Sequence, residues 1–118
     1  MSRHEAIIRL QHVLDHAREA VALISGRSYD DLAQDRMLEL SLTRLVEIVG
    51  EAANYIPRDL QKSAPEIPWA QMVSMRNRLI HGYDRVDLRI LWDTVETELP
   101  PLVVELDRVL QRFREAEA

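Results

Sequence analysis

The chain predicts an all-α fold, an antiparallel bundle of four long helices plus a short or broken fifth. Three observations carry that expectation. Apolar residues recur at spacings of three and four along most of the 118 residues, the rhythm of one helical face. No stretch shows strict two-residue alternation rich in β-branched residues, the mark of a strand. Three Gly and five Pro leave material for few turns, so the elements must be few and long. At this length, with no repeat and no low-complexity segment, residues 1–118 read as one domain.

Taken in order, Ser2-x-x-Glu5 matches a capping box and opens the first helix. Ile7, Leu10, Leu14, Ala17, Val21 and Ile24 then form its apolar stripe, and Gly26 ends it. A second helix is expected to start between Ser28 and Asp31, with Asp31 and Gln34 as a further capping pair. It carries Leu38, Leu42, Leu45, Val49, Ala52 and Ile56 on one face until Pro57 breaks it. Residues 57–68 read as a connector with one helical turn. Pro68-Trp69 suits the start of a third helix running to about His81, which Gly82 closes in the left-handed conformation. Asp87 caps a fourth helix bearing Leu88, Trp92, Val95 and Leu99. Pro100-Pro101 is expected to interrupt it, and a last helix follows with Leu102, Leu106, Val109 and Phe113.

The bulk composition narrows the function classes. There is no Cys, which removes disulfides, thiolate metal sites and Cys nucleophiles. No uncharged apolar run approaches the ~20 residues of a membrane span. The opening Met-Ser-Arg-His-Glu turns amphipathic at once, unlike a signal peptide, so a cytoplasmic protein is expected. Fourteen Arg against one Lys, Lys62, suit bidentate contacts to carboxylate and phosphate, although a GC-rich genome gives the same bias. Net charge is −5, yet residues 76–90 hold four Arg against two Asp. One cationic segment on an acidic protein points to a specific anion or phosphate site.

That segment contains Arg76-Asn77-Arg78-Leu79-Ile80-His81-Gly82-Tyr83, with the one His beyond residue 16. In a continuous helix Asn77 and His81 are neighbours four apart, so Asn77 can orient the imidazole. Arg76 falls on the side of Trp69, Met72, Val73 and Ile80. A guanidinium on that stripe must find a carboxylate or reach a cleft. Glu47 and Glu51, themselves four apart, are the candidate partners. Chemically, His81 can take a proton from a ribose 2′-hydroxyl or supply one to a leaving oxygen, while Arg76 stabilises phosphorane charge. One His does not easily serve as acid and base together, which makes a symmetric dimer attractive. The plainer alternative stays open on spacing alone: His81 as a helix-terminal residue, Arg76 as an interhelical ion-pair partner and Tyr83 as a capping hydrophobe.

Arg76-Asn77-x-x-x-His81-Gly82-Tyr83 resembles the Arg-x-x-x-x-His-x-Tyr signature of HepT-like toxins in the HEPN superfamily. Val49-Gly50-Glu51-Ala52-Ala53, Pro65-Glu66-Ile67-Pro68-Trp69, Met75, Val86-Asp87 and Leu99-Pro100 are similar to the same subfamily, so the likeness spans nearly the whole chain. The resemblance implies a helical bundle that dimerises so that both motifs line one cleft. It implies a ribonuclease that cuts RNA without a metal or other cofactor. It further implies a toxin–antitoxin pair in which a minimal nucleotidyltransferase (MNT) antitoxin transfers AMP to Tyr83. On that basis Arg76 and His81 are the expected catalytic residues, Asn77 and Glu51 supporting ones, and Tyr83 the modification site. Rival readings are a non-catalytic helical module that binds a nucleotide or the transferase, and a purely structural helical dimer.

Outside this segment, several residues have plainer roles beside a functional one. His12 and His16, four apart with Asp15 and Glu19, have metal-pair spacing but sit on or near the polar face of the first helix, favouring a solvated role. Trp69 and Trp92 lie in register with apolar stripes and read as core or dimer interface. Gly50 inside a helix costs about 1 kcal/mol against Ala, which close helix approach within the bundle or across a dimer would explain. Arg85 and Arg89 extend the phosphate track or are neutralised by Asp84 and Asp87.

Overall fold

The computed structural model describes residues 1–79 and 85–117. The expectations for Ile80, His81, Gly82, Tyr83 and Asp84, including the glycine cap and the pairing of Asn77 with His81, lie outside the described residues. Every helix or strand element among the described residues is helical: α1 (Arg3–Leu23), α2 (Tyr29–Ala33), α3 (Arg36–Asn54), α4 (Arg58–Ser63), α5 (Trp69–Leu79), α6 (Leu88–Asp93) and α7 (Leu99–Glu117), with a π-helical segment, Thr94–Glu98, joining the last two.

The capping chemistry sets most of the boundaries. The Ser2 side chain accepts from the Glu5 amide while the Glu5 carboxylate accepts from the Ser2 amide, closing the box that opens α1. Gly26, at φ +74°, turns the chain after α1 in a conformation that a Cβ would disfavour. Asp87 accepts from the Ile90 amide at 3.0 Å and starts α6. Pro57 stands at the N-cap of α4, the turn expected inside the connector.

Two expected elements are redrawn. The second helix is two pieces, because the box at its start is Ser28 with Asp31 and not Asp31 with Gln34. Asp35 then caps Leu38 at 3.0 Å and begins α3 afresh. The Pro pair does not interrupt the fourth helix. Leu88–Glu117 is continuous through the π segment, with Thr94 and Leu99 both in the right-handed helical region. A proline ring clashes with the carbonyl four residues back and supplies no N–H to it. Widening the turn just before Pro100 relieves both problems. The expected fourth and fifth helices are therefore one long helix, which with α1, α3 and α5 makes the four-helix frame.

The apolar stripes converge on one core. Leu10, Leu14, Leu42, Met72, Leu79, Leu91, Leu99 and Leu106 are all but fully buried. The start of α1 meets the ends of α3 and α7, since Arg9 lies over the Tyr55 ring and Arg3 over the Phe113 ring. Both neighbours are thus antiparallel to α1. Trp92 is buried, and Trp69 is half-buried with its indole N–H directed at the carbonyls of Gln61 and Ala64. Both tryptophans are therefore committed to the fold. The Gln61 amide in turn donates to the carbonyls of Ala53 and Ile56, tying α4 to the end of α3. This fixes the entry to α5, the helix that carries Arg76.

Candidate functional site

Gly50 sets the distance between α3 and α5. A Cβ built on it would lie 2.9 Å from the Met72 carbonyl oxygen and 3.0 Å from the Arg76 Cβ. Of the two explanations for a mid-helix glycine, close approach within the bundle is the one observed. The contact also fixes where Arg76 leaves α5, level with Gly50 and so beside Glu51 on the facing helix.

From that position Arg76 reaches Glu51, Nη1 to Oε1 at 3.7 Å, with the guanidinium side chain 49% exposed. The sequence put Arg76 on an apolar stripe in need of a carboxylate or a cleft. It obtains the carboxylate, and its other side meets open surface. Glu47, the other candidate, pairs with Arg44 at 3.6 Å on its own helix. An ion pair this long and this exposed contributes little to stability, roughly 0–1 kcal/mol. Its guanidinium retains donors to offer an incoming anion.

Arg78, two residues on, is engaged differently. Its Nη2 donates to both carboxylate oxygens of Glu98, at 2.8 and 3.1 Å. Glu98 ends the π segment, and Thr94, fully buried at its start, donates its hydroxyl to the Ile90 carbonyl at 2.7 Å. Arg78 is thereby a strap between α5 and the long C-terminal helix. Asn77 between them is exposed. Arg89 lies over the Tyr29 ring at 5.0 Å and pairs with Asp93 at 3.6 Å, which makes it a tie between α6 and α2 more than a phosphate track. Arg85 is exposed.

Glu51 belongs to a second feature as well. A groove of ≈ 440 Å³ runs between the outward faces of α1 and α3, lined among others by Arg9, His12, His16, Arg44, Glu51 and Tyr55. His12 and His16 thus face this groove, with the His16 Nδ1 against the His12 carbonyl. His12 is exposed, and no set of three potential ligands gathers there among the described residues. Sequence reading passed over Arg9, Arg44 and Tyr55. The signal was available: Met37, Leu40, Arg44, Ile48, Glu51 and Tyr55 follow one another at spacings of three and four, a second stripe on α3 away from the core.

A helical bundle presenting a half-exposed arginine beside a carboxylate, at the entry to an Arg-x-x-x-x-His motif, defines a candidate phosphate-handling site on an all-α domain. Comparison with known proteins places the chain further. The family model described as Ribonuclease HepT-like matches residues 10–109, and the chain belongs to that family. A Thermococcus cleftensis protein named "Probable ribonuclease HepT" is 37% identical over 100 residues, covering 81% of this chain and 91% of its own. A Caldanaerobacter subterraneus protein named as a "Putative RNase" is 32% identical, covering 87% and 92%. One from Methanocaldococcus jannaschii, likewise named as a "Putative RNase", is 31% identical, covering 92% and 100%. No solved structure matches the chain. No described helix is long and apolar enough to cross a membrane.

Proposed function

We propose that this chain is a metal-independent endoribonuclease toxin whose reaction centre combines Arg76 and His81. The observation that carries the reading is Arg76: seated by Gly50, held loosely by Glu51 and half open to solvent, on a chain of the ribonuclease HepT-like family. A scissile phosphodiester displaces or shares the Glu51 contact and receives the guanidinium. The ribose 2′-oxygen attacks phosphorus as its proton passes to an imidazole. The P–O5′ bond breaks, and the departing oxygen takes a proton from a second imidazole. The products are a 2′,3′-cyclic phosphate and a 5′-hydroxyl. Arg76 stabilises the charge that grows on the non-bridging oxygens. Glu51 serves as a positioning residue that keeps the guanidinium in place between turnovers, and Asn77 orients His81.

Two imidazoles call for two chains, so the active species is a homodimer in which both motifs line one cleft. The regulatory partner is a nucleotidyltransferase antitoxin of the MNT type. The Tyr83 oxygen attacks the α-phosphorus of ATP, pyrophosphate leaves, and the phenolic proton goes to a base of the transferase. A phenol of pKa near 10 needs that help to become a nucleophile. The resulting phosphodiester, two residues from His81, adds bulk and negative charge where RNA phosphate must sit.

Purified protein in EDTA should cleave RNA, and His81→Ala or Arg76→Ala should abolish cleavage and growth inhibition with the helical spectrum unchanged. Tyr83→Phe should cleave RNA and refuse AMP from the co-expressed transferase. Undiminished cleavage and toxicity in both the His81 and Arg76 variants would refute the assignment.

A further inference from the structure

Two tyrosines carry an arginine over the ring, and their surroundings differ. Tyr29, under Arg89 at 5.0 Å, is packed against the core. Tyr55, under Arg9 at 5.1 Å, is 61% exposed at the end of α3 and lines the groove between α1 and α3. Its ring supports little of the core and stands open to a ligand. A flat aromatic backed by a guanidinium is what the bases of a single strand stack on, since every base has a π-face.

The groove around the ring suits that occupant better than a protein surface. Protein interfaces deplete charged groups from their centre. Here six of the eleven lining residues are Arg, His or Glu, in a cleft whose ≈ 440 Å³ is of small-ligand size. The two acids are engaged from outside the groove: the Glu5 carboxylate accepts from the Ser2 amide, and Glu51 pairs with Arg76. Among the described residues Arg9 has the Tyr55 ring and no carboxylate for a partner. A guanidinium donates in its own plane, so stacking on the ring leaves its N–H groups directed sideways, where a phosphate can take them. Acids and arginines are equal in number, so the groove is no general basic surface. What it adds to the cationic segment is a platform for a base.

Arg76 itself lies outside the groove, and Glu51 is the residue the two sites share. Tyr55 follows Glu51 by four positions, about 6 Å along the same face of α3. A strand with its phosphate at Arg76 therefore meets the ring with a neighbouring nucleotide. We infer that Tyr55, with Arg9 behind it, is a stacking subsite for a base of single-stranded RNA flanking the phosphate at Arg76. The inference rests on the proposed function for that phosphate, while the stacking itself requires no cleavage.

The test is binding of a fluorescein-labelled, single-stranded 2′-O-methyl oligonucleotide to the full chain, read by anisotropy. With no free 2′-hydroxyl it is not cut, so affinity is separated from catalysis. Tyr55→Ala should keep its helical spectrum, because the side chain is exposed, and should raise Kd roughly tenfold or more. Tyr55→Phe, which keeps the ring, should bind as wild type. Arg9→Ala should weaken binding and lower the slope of log affinity against log salt by about 0.7. Arg108→Ala, an exposed arginine on α7, should change neither. On cleavable RNA, Tyr55→Ala should raise KM with kcat within a few-fold of wild type. A wild type that does not bind the oligonucleotide overturns the inference. So does a folded Tyr55→Ala that binds as wild type, including one whose mass by light scattering falls and so marks this face as a protein contact. If Tyr55→Ala weakens binding but no form cuts RNA, the subsite stands and the ribonuclease mechanism falls.

Discussion

Arg76 and Arg78 leave the same turn of α5 and are put to different uses. Arg78 holds both oxygens of Glu98 within 3.1 Å and straps α5 to the helix that crosses the π segment. Arg76 sits over Gly50 with one carboxylate at 3.7 Å and half its side chain in solvent. Composition and local charge treat the two alike. What separates them is the partner each meets, a clamping carboxylate on the long helix or a loose one beside a glycine. An arginine already committed to a close carboxylate has little to give a ligand, and one held at a distance has most of its donors left.

The comparison can be broken from either side. The largest effect should come from Arg76→Ala, which costs on the order of 100- to 1,000-fold in RNA cleavage by the usual worth of an oxyanion donor, with little change in melting temperature. Gly50→Ala should come next. The added methyl meets the Met72 carbonyl at 2.9 Å, so α3 and α5 must part, destabilising the fold by about 1–3 kcal/mol in denaturant titration and lowering cleavage by displacing Arg76. Arg78→Ala should do the reverse of Arg76→Ala. It should cost at most ~1 kcal/mol of stability, given how exposed the pair is, and leave cleavage within a few-fold of wild type.

The smallest effect concerns a third arginine, Arg112, which donates to both oxygens of Glu66 and to the Ser63 carbonyl. Hydrogen bonding from Arg112 holds the Glu66 carboxyl below the usual carboxylate range. The folded state therefore binds that proton less readily than the unfolded chain. The associated stability is present above the ordinary carboxylate pKa and is lost as pH falls through the lowered one. Melting temperature followed from pH 7 downward should show a slightly steeper acid loss in wild type than in Glu66→Gln.

Much of the frame was legible because it is local. Ser2 with Glu5, Asp87 and Pro68-Trp69 each mark a helix start through groups within a few residues of one another. Two features depended on context. The break at Gln34–Asp35 was passed over although the apolar period lapses there, with Asp35 and Arg36 three and four residues after Leu32, and Asp35 three residues before Leu38 is itself a capping signal. The continuity through Pro100-Pro101 required knowing that the preceding turn widens, and the widening brings Thr94 and Glu98 into the strap with Arg78. At the site, sequence supplied both carboxylates and not the choice between them. Glu51 meets Arg76 because Gly50 lets α5 seat against α3 at that level, while Glu47 is taken by Arg44. The outer stripe of α3 was overlooked because the inner stripe, through Leu42 and Val49, already accounted for the helix.

The decisive measurement is cleavage of an end-labelled RNA in EDTA by wild type, Arg76→Ala and Arg78→Ala, each first matched for helical content and melting behaviour. The account predicts that the Arg76 variant loses at least ~100-fold while the Arg78 variant stays within a few-fold of wild type. Equal losses in the two variants, or none in either, would contradict it.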